Sequence, residues 1–164
     1  MRPLLAALLG LACAGSGAAA PSPAAADYRD LEAAVVRLVN AHRARRHQRV
    51  LVTDTVLARI AREHSRDMAE RRVAFGHDGF DDRVKEAERH FDFSEIAENV
   101  ALNDYSRSRT VTIAVDGWLG SPHHRENIEG NFDRSGVGVV RSGDGTYYFT
   151  QIFLAKSRFS DRRP

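Results

Sequence analysis

Apolar residues recur at helical spacing through most of this chain and at alternate positions near its end. Leu31, Val35, Leu38, Val39 and His42 share one helical face and predict a first helix from about Asp30 to Arg45. The stretch VLVTDTVLARIAREHSRDMAERR predicts a second. Thr53 or Asp54 serves as its N-cap, and Val56, Ile60, His64 and Met68 follow along one face. A histidine on such a face reads as a hydrogen-bonded core residue. FGHDGFDD, from Phe75 to Asp82, holds two glycines and several acids and reads as a loop. DDRVKEAERH predicts a short third helix, and SEIAENVAL a turn that runs into an apolar segment. RTVTIAVDGWLG reads as an amphipathic helix with Val111, Ala114, Val115 and Trp118 inward. Its many β-branched residues oppose a helix on propensity, so the spacing must outvote them.

Beyond this point the period changes to two. RSGVGVV, Arg134 to Val140, and TYYFTQIFL, Thr146 to Leu154, predict strands, and SGDG between them is a hairpin signal. A further strand is expected near Asn99. Helices first and a hairpin last predict an α+β fold, an antiparallel sheet covered by helices. The terminal SRFSDRRP reads as a loose tail.

The start of the chain follows a different logic. Arg2, the apolar run from Leu4 to Ala14 and the small residues after it have the order of a secretory signal. That run is too short to span a bilayer as a mature helix. APSPAAAD offers an Ala-x-Ala site, which predicts cleavage after Ala26 and a mature chain from Asp27, secreted, extracellular or periplasmic. Cys13 is the single cysteine and lies inside this segment. It offers an alternative as a lipid-anchored acceptor, although Gly10, Leu11 and Ala12 depart from the Leu-small-small triplet that normally precedes one. Without Cys13 the domain has no disulfide, and its roughly 138 residues must be held by their own core.

Net charge is +2, or +1 once Arg2 leaves with the signal, which argues against nucleic acid as a partner. HRARRHQR, His42 to Arg49, is expected to be a solvated helix end rather than a polyanion patch.

Three places combine a titratable side chain with a structured neighbourhood: His77 in the glycine loop, Glu98 in the ENVAL segment, and the pair His123 and His124. Two imidazoles and a carboxylate can bind zinc with an open position for water, or move protons without metal. They can equally form a hydrogen-bonded cluster that pins loops to the sheet. The zinc-protease spacing His-Glu-x-x-His is absent, as is Gly-x-Ser-x-Gly from the mature chain.

Four stretches in order carry a resemblance: HSRDMAERRVAFGHDGFDDRV, IAENVAL, GWLGSPHHRENIEGNFDRSGVGVV and YYFTQIFL. They resemble the CAP superfamily of cysteine-rich secretory, antigen 5 and pathogenesis-related proteins, in its bacterial SCP-like extracellular form. The likeness runs from about Leu31 to Leu154. It implies an α-β-α sandwich with a central, mainly antiparallel sheet over residues 27–155; the segments read above as signal and flexible tail then take residues 1–26 and 156–164. It also implies a shallow cleft in which two histidines and two acids can hold a divalent cation such as zinc. His77, Glu98 and His124 match three of those positions and are the tentative metal ligands, and the catalytic residues if there is catalysis. His123 takes the variable place before His124 and is expected to point away. Ser121 stands where eukaryotic members have a second glutamate, which weakens a cation site. Asn99, Arg125 and Asn127 are expected to fix loops beside the cleft, and Gly136 and Gly138 to allow close packing. The resemblance implies a ligand- or metal-binding module, with a lipid or cell-envelope component as the ligand class. The alternatives are a metal-dependent, protease-like hydrolase using the same cleft, a lipid- or sterol-binding protein, and a scaffold or adhesin that acts through its surface alone.

Overall fold

The computed structural model describes residues 27–157. The expected signal, its cleavage site and the Cys13 acceptor lie outside them, as does the tail from residue 158. The elements run α1 (Arg29–Arg45), β1 (Val52–Thr53), α2 (Thr55–Ala69), α3 (Phe80–Glu88), β2 (Phe93–Asn103), α4 (Thr110–Gly120), α5 (Pro122–Glu129), β3 (Arg134–Arg141) and β4 (Tyr147–Lys156). The sheet order is β1-β3-β4-β2. β4 pairs antiparallel with both β2 and β3, and only the two-residue β1 runs parallel to its neighbour. This is the expected α+β sandwich with a mainly antiparallel sheet.

Alternation along the strands sends side chains to two helical layers. Val137, Val139, Phe149 and Phe153 pack with residues of α1 and α4, including Val35, Val39, Val115 and Trp118. Ile152 and Leu154 pack on the other face with Leu57, Ile60 and Ala61 of α2 and Ala87 of α3. On that face α2 lies almost on the backbone of β3. A Cβ added to Gly138 would stand 2.2 Å from the Arg62 amide nitrogen, and one on Gly136 would stand 2.1 Å from that of Ala58. The two glycines are there because nothing larger fits.

Edge strands expose unpaired backbone groups, and here side chains cover them. On β2 the Glu98 and Val100 carbonyls accept from Asn127 Nδ2 at 3.2 Å and Trp118 Nε1 at 2.9 Å. On β3 the Val139 amide donates to Glu32, whose carboxylate also takes a two-pronged bond from Arg62. Asn40 exchanges two bonds with the Leu51 backbone and holds the entry to β1.

Several expectations need correction. Leu38 is exposed, and the inward stripe of α1 is Leu31, Glu32, Val35, Val39 and Arg43. The basic cluster is therefore not wholly solvated. Arg43 is buried and donates to the carbonyls of Arg49, Ile128, Gly130 and Phe132. The second helix keeps one of its two expected caps: Asp54 accepts from the amides of Val56 and Leu57. Residues 122–129, for which the pattern predicts no element, form α5, with Pro122 at its first turn, where proline's missing N–H costs nothing. Lys156, expected in the tail, ends β4, and the Ser157 amide donates to the Asp92 carbonyl.

Candidate functional site

The site forms over the middle of edge strand β2, between the loop and helix of residues 76–88 and helix α5. Glu98 is its fixed point. Its side chain is only 2% exposed, yet both carboxylate oxygens are engaged. Arg83 of α3 donates from Nε to Oε2 at 2.7 Å and from Nη2 to Oε1 at 2.8 Å. The same guanidinium donates to the carbonyls of Asp78 and His77, so it also ties down the glycine loop. A planar fork matched to both oxygens of a carboxylate is the strongest form of this contact.

His77 completes the set. Its Nδ1 lies 2.9 Å from Glu98 Oε1. A carboxylate oxygen accepts, so Nδ1 carries the proton, and in the neutral ring Nε2 is left bare on the opposite edge. The ring is half exposed, at 50%. The loop reaches this position through Gly76, whose φ of 148° lies in a region that side chains disfavour. The Gly76 carbonyl accepts from His64 Nε2 at 2.9 Å. His64 is thus the buried, hydrogen-bonded histidine expected from its place on α2, and it serves the cleft by anchoring the loop before His77. Burial, more than any other influence, lowers its pKa below the ordinary value, with the charge of Arg83 adding to the effect.

His124 approaches from the other side on α5. The end of that helix is locked by Arg43, by His42 bonded to Glu129 at 2.8 Å, and by Gln48 bonded to the Glu129 carbonyl. Its start is locked to β2, where Asn99 Nδ2 donates to the His124 carbonyl at 3.0 Å and Asn127 Nδ2 donates to Asn99 Oδ1 at 2.9 Å. The His124 ring is half-buried, and its pKa is lowered first by burial and then by the nearby charges of His77 and His123. His77 and Glu98 are thus joined by a hydrogen bond, and His124 lies near enough for the charge of His77 to bear on it. The His123 ring is 94% exposed and lies 3.5 Å from Glu126. Ser121 is half-buried at the junction of α4 and α5. Arg125, expected to brace this region, is exposed.

Arg83 is the residue that sequence reasoning missed. On a charged nine-residue helix it reads as one more solvated cation. The available signal was its three-residue spacing from the apolar Phe80 and its four-residue spacing from Ala87, the buried residue of that helix.

A groove of about 520 Å³ between α2 and α3 adjoins the cleft and shares His64 and Arg83 with it. A cavity of about 730 Å³ lies elsewhere, at the end of the sheet where β3 begins and β4 ends, with Val50, Val52, Arg134 and Lys156 in its wall.

The model of the cysteine-rich secretory protein family, CAP, matches residues 36–153. The chain belongs to the CAP family. It is similar to the Bacillus subtilis (strain 168) protein YkwD, described as uncharacterized, at 31% identity over 134 residues, covering 76% of this chain and 47% of that protein. A solved extracellular protein containing an SCP domain from Bacillus anthracis is 28% identical with a TM-score of 0.64, over 78% of this chain and 41% of the other. This CAP chain thus spans about half the length of these two relatives or less. An outer surface protein from Borrelia burgdorferi has the same fold, with a TM-score of 0.67 over 82% of this chain and 98% of its own, at 18% identity.

No helix among the described residues is long and apolar enough to cross a membrane. Nor is any group of three or more His, Cys, Asp or Glu side chains among them arranged to hold a metal ion.

Proposed function

We propose that this CAP domain is an extracellular ligand-binding module whose recognition point is the His77–Glu98–His124 cleft. The observation that carries the reading is a carboxylate buried at 2% exposure that orients a half-exposed imidazole. A carboxylate is costly to bury unless it is fully bonded. Here Arg83 and His77 supply those bonds, and the bare Nε2 of His77 is held ready to accept from a ligand's hydroxyl or amide. His124 adds a second imidazole that its surroundings keep biased towards the neutral form. Hydrogen-bond donors of this kind abound on cell-envelope components. An outer location agrees with the extracellular Bacillus anthracis relative and with the signal-like start of the chain.

Hydrolysis finds less support in this geometry. A metal-dependent hydrolase needs a carboxylate free to orient water. Glu98 has both oxygens committed to Arg83, and one of them to His77 as well.

Soluble muropeptides and lysophospholipid micelles, titrated separately into the ¹⁵N-histidine-labelled protein, test the reading. One of them should shift the ring signals of His77 and His124 and leave those of His123 in place. If neither probe moves the two rings, the binding reading fails. Turnover of fluorogenic casein or p-nitrophenyl acetate that disappears in the His77→Ala, His124→Ala variant would replace it with the hydrolase.

A further inference from the structure

The cleft has the side chains of a cation site, and the place of the cation beside Glu98 is taken. Zinc binds a carboxylate oxygen at about 2.0–2.2 Å through a lone pair that must be free. Arg83 donates to both Glu98 oxygens, at 2.7 and 2.8 Å. His77 takes the second lone pair of Oε1, so one lone pair is left, on Oε2 directly beside the Arg83 charge. A guanidinium cannot step aside by losing its proton, because it stays charged at any working pH. An incoming divalent ion would meet a fixed positive charge and a carboxylate already neutralised. What remains is two imidazoles, short of the three protein ligands that an open zinc site uses. With Ser121 at the α4–α5 junction, where the resemblance places a second acid, no further carboxylate is supplied there.

We propose that Arg83 is the built-in cation of this cleft: it performs the charge-neutralising and loop-fixing work of a divalent metal and excludes that metal from Glu98. Arg83 is a positioning residue. It acts through Glu98 on the tautomer of His77, and through the carbonyls of His77 and Asp78 on the loop. The assignment stands on the geometry around Glu98 and holds whichever ligand the cleft takes.

Calorimetric titration with zinc chloride at neutral pH tests it on four full-length proteins: wild type, Arg83→Met, Arg83→Lys and Arg83→Met with Glu98→Gln. Circular dichroism first establishes that each is folded. Wild type should show no stoichiometric zinc binding that depends on Glu98. Arg83→Met should gain a single site at least about tenfold tighter than any wild-type binding, since one like charge has been removed. The added Glu98→Gln change should abolish that gain, and Arg83→Lys, which keeps the charge, should not show it. In a fifth protein, Glu98→Gln alone, zinc binding weakened relative to one-to-one binding by wild type overturns the proposal without recourse to any arginine variant. A folded Arg83→Met protein that gains nothing overturns it as well.

Discussion

Arg43 and Arg83 both withdraw a guanidinium from water, but against different partners. Arg43, on α1, turns its donors on four backbone carbonyls around the end of α5. Burial lowers its pKa, the neighbouring Arg49 adds to that, and Asp133 opposes it. Arg83, on α3, spends three of its bonds on the loop and on one oxygen of a carboxylate, and its Nε on the other oxygen. Carbonyls are neutral and many. A carboxylate is charged and single, and its state can be altered by one substitution or by a cation. The first arrangement can only hold a helix in place. The second holds a loop and also sets the chemistry of His77. What a buried arginine does is thus decided by its acceptors rather than by its depth.

The contrast can be broken by substitution. Arg83→Met leaves the Glu98 carboxylate buried with one partner, and should cost about 3–5 kcal/mol in urea unfolding, the usual result of removing half of a buried ion pair. Adding Glu98→Gln to it should return most of that loss, because the uncompensated charge is gone. Arg43→Met should cost somewhat less, about 2–3 kcal/mol, for carbonyls left without a donor. No single second change should restore it, since its acceptors belong to four residues. Equal rescue in both cases would show that the two arginines play the same part.

A smaller effect concerns pH. The folded-state pKa values of His64 and His124 lie below the ordinary 6.5. Between 6.5 and those depressed values the unfolded chain binds protons that the folded chain refuses. Stability should therefore fall as pH drops through 6.5 and level off below the folded values. A series of melting curves reads this directly, and His64→Gln should flatten it. The least effect is expected from His123→Ala. It should alter stability by less than about 0.5 kcal/mol, as exposed positions usually do, and leave the His77 ring signals where they were.

The parts of the fold legible in the sequence were those with long periodic patterns. Val111, Ala114, Val115 and Trp118 all face the core as their spacing requires, and β3 and β4 lie where alternation placed them. α5 has eight residues with Ile128 alone buried, and β1 has two residues, so neither could leave a periodic trace. Leu38 and Arg43 exchange their expected surroundings because the carbonyls around the end of α5 need a long cationic donor where the pattern predicts water. His77, Glu98 and His124 were named through the resemblance, and the His77–Glu98 hydrogen bond is the part of that set the fold displays. Arg83 was not: its partner lies 15 residues away on another element, and only the folded chain brings a helix cation against a strand carboxylate.

The central claim is that Arg83 and Glu98 together hold His77 with its proton on Nδ1 and Nε2 bare. A long-range ¹H–¹⁵N spectrum of the His77 ring tests this directly, in metal-free protein at a pH above 6.5. The account predicts the Nδ1–H tautomer in wild type and a mixture of tautomers once Arg83→Met releases the loop. An Nε2–H ring in wild type, or a spectrum indifferent to Arg83, would contradict it.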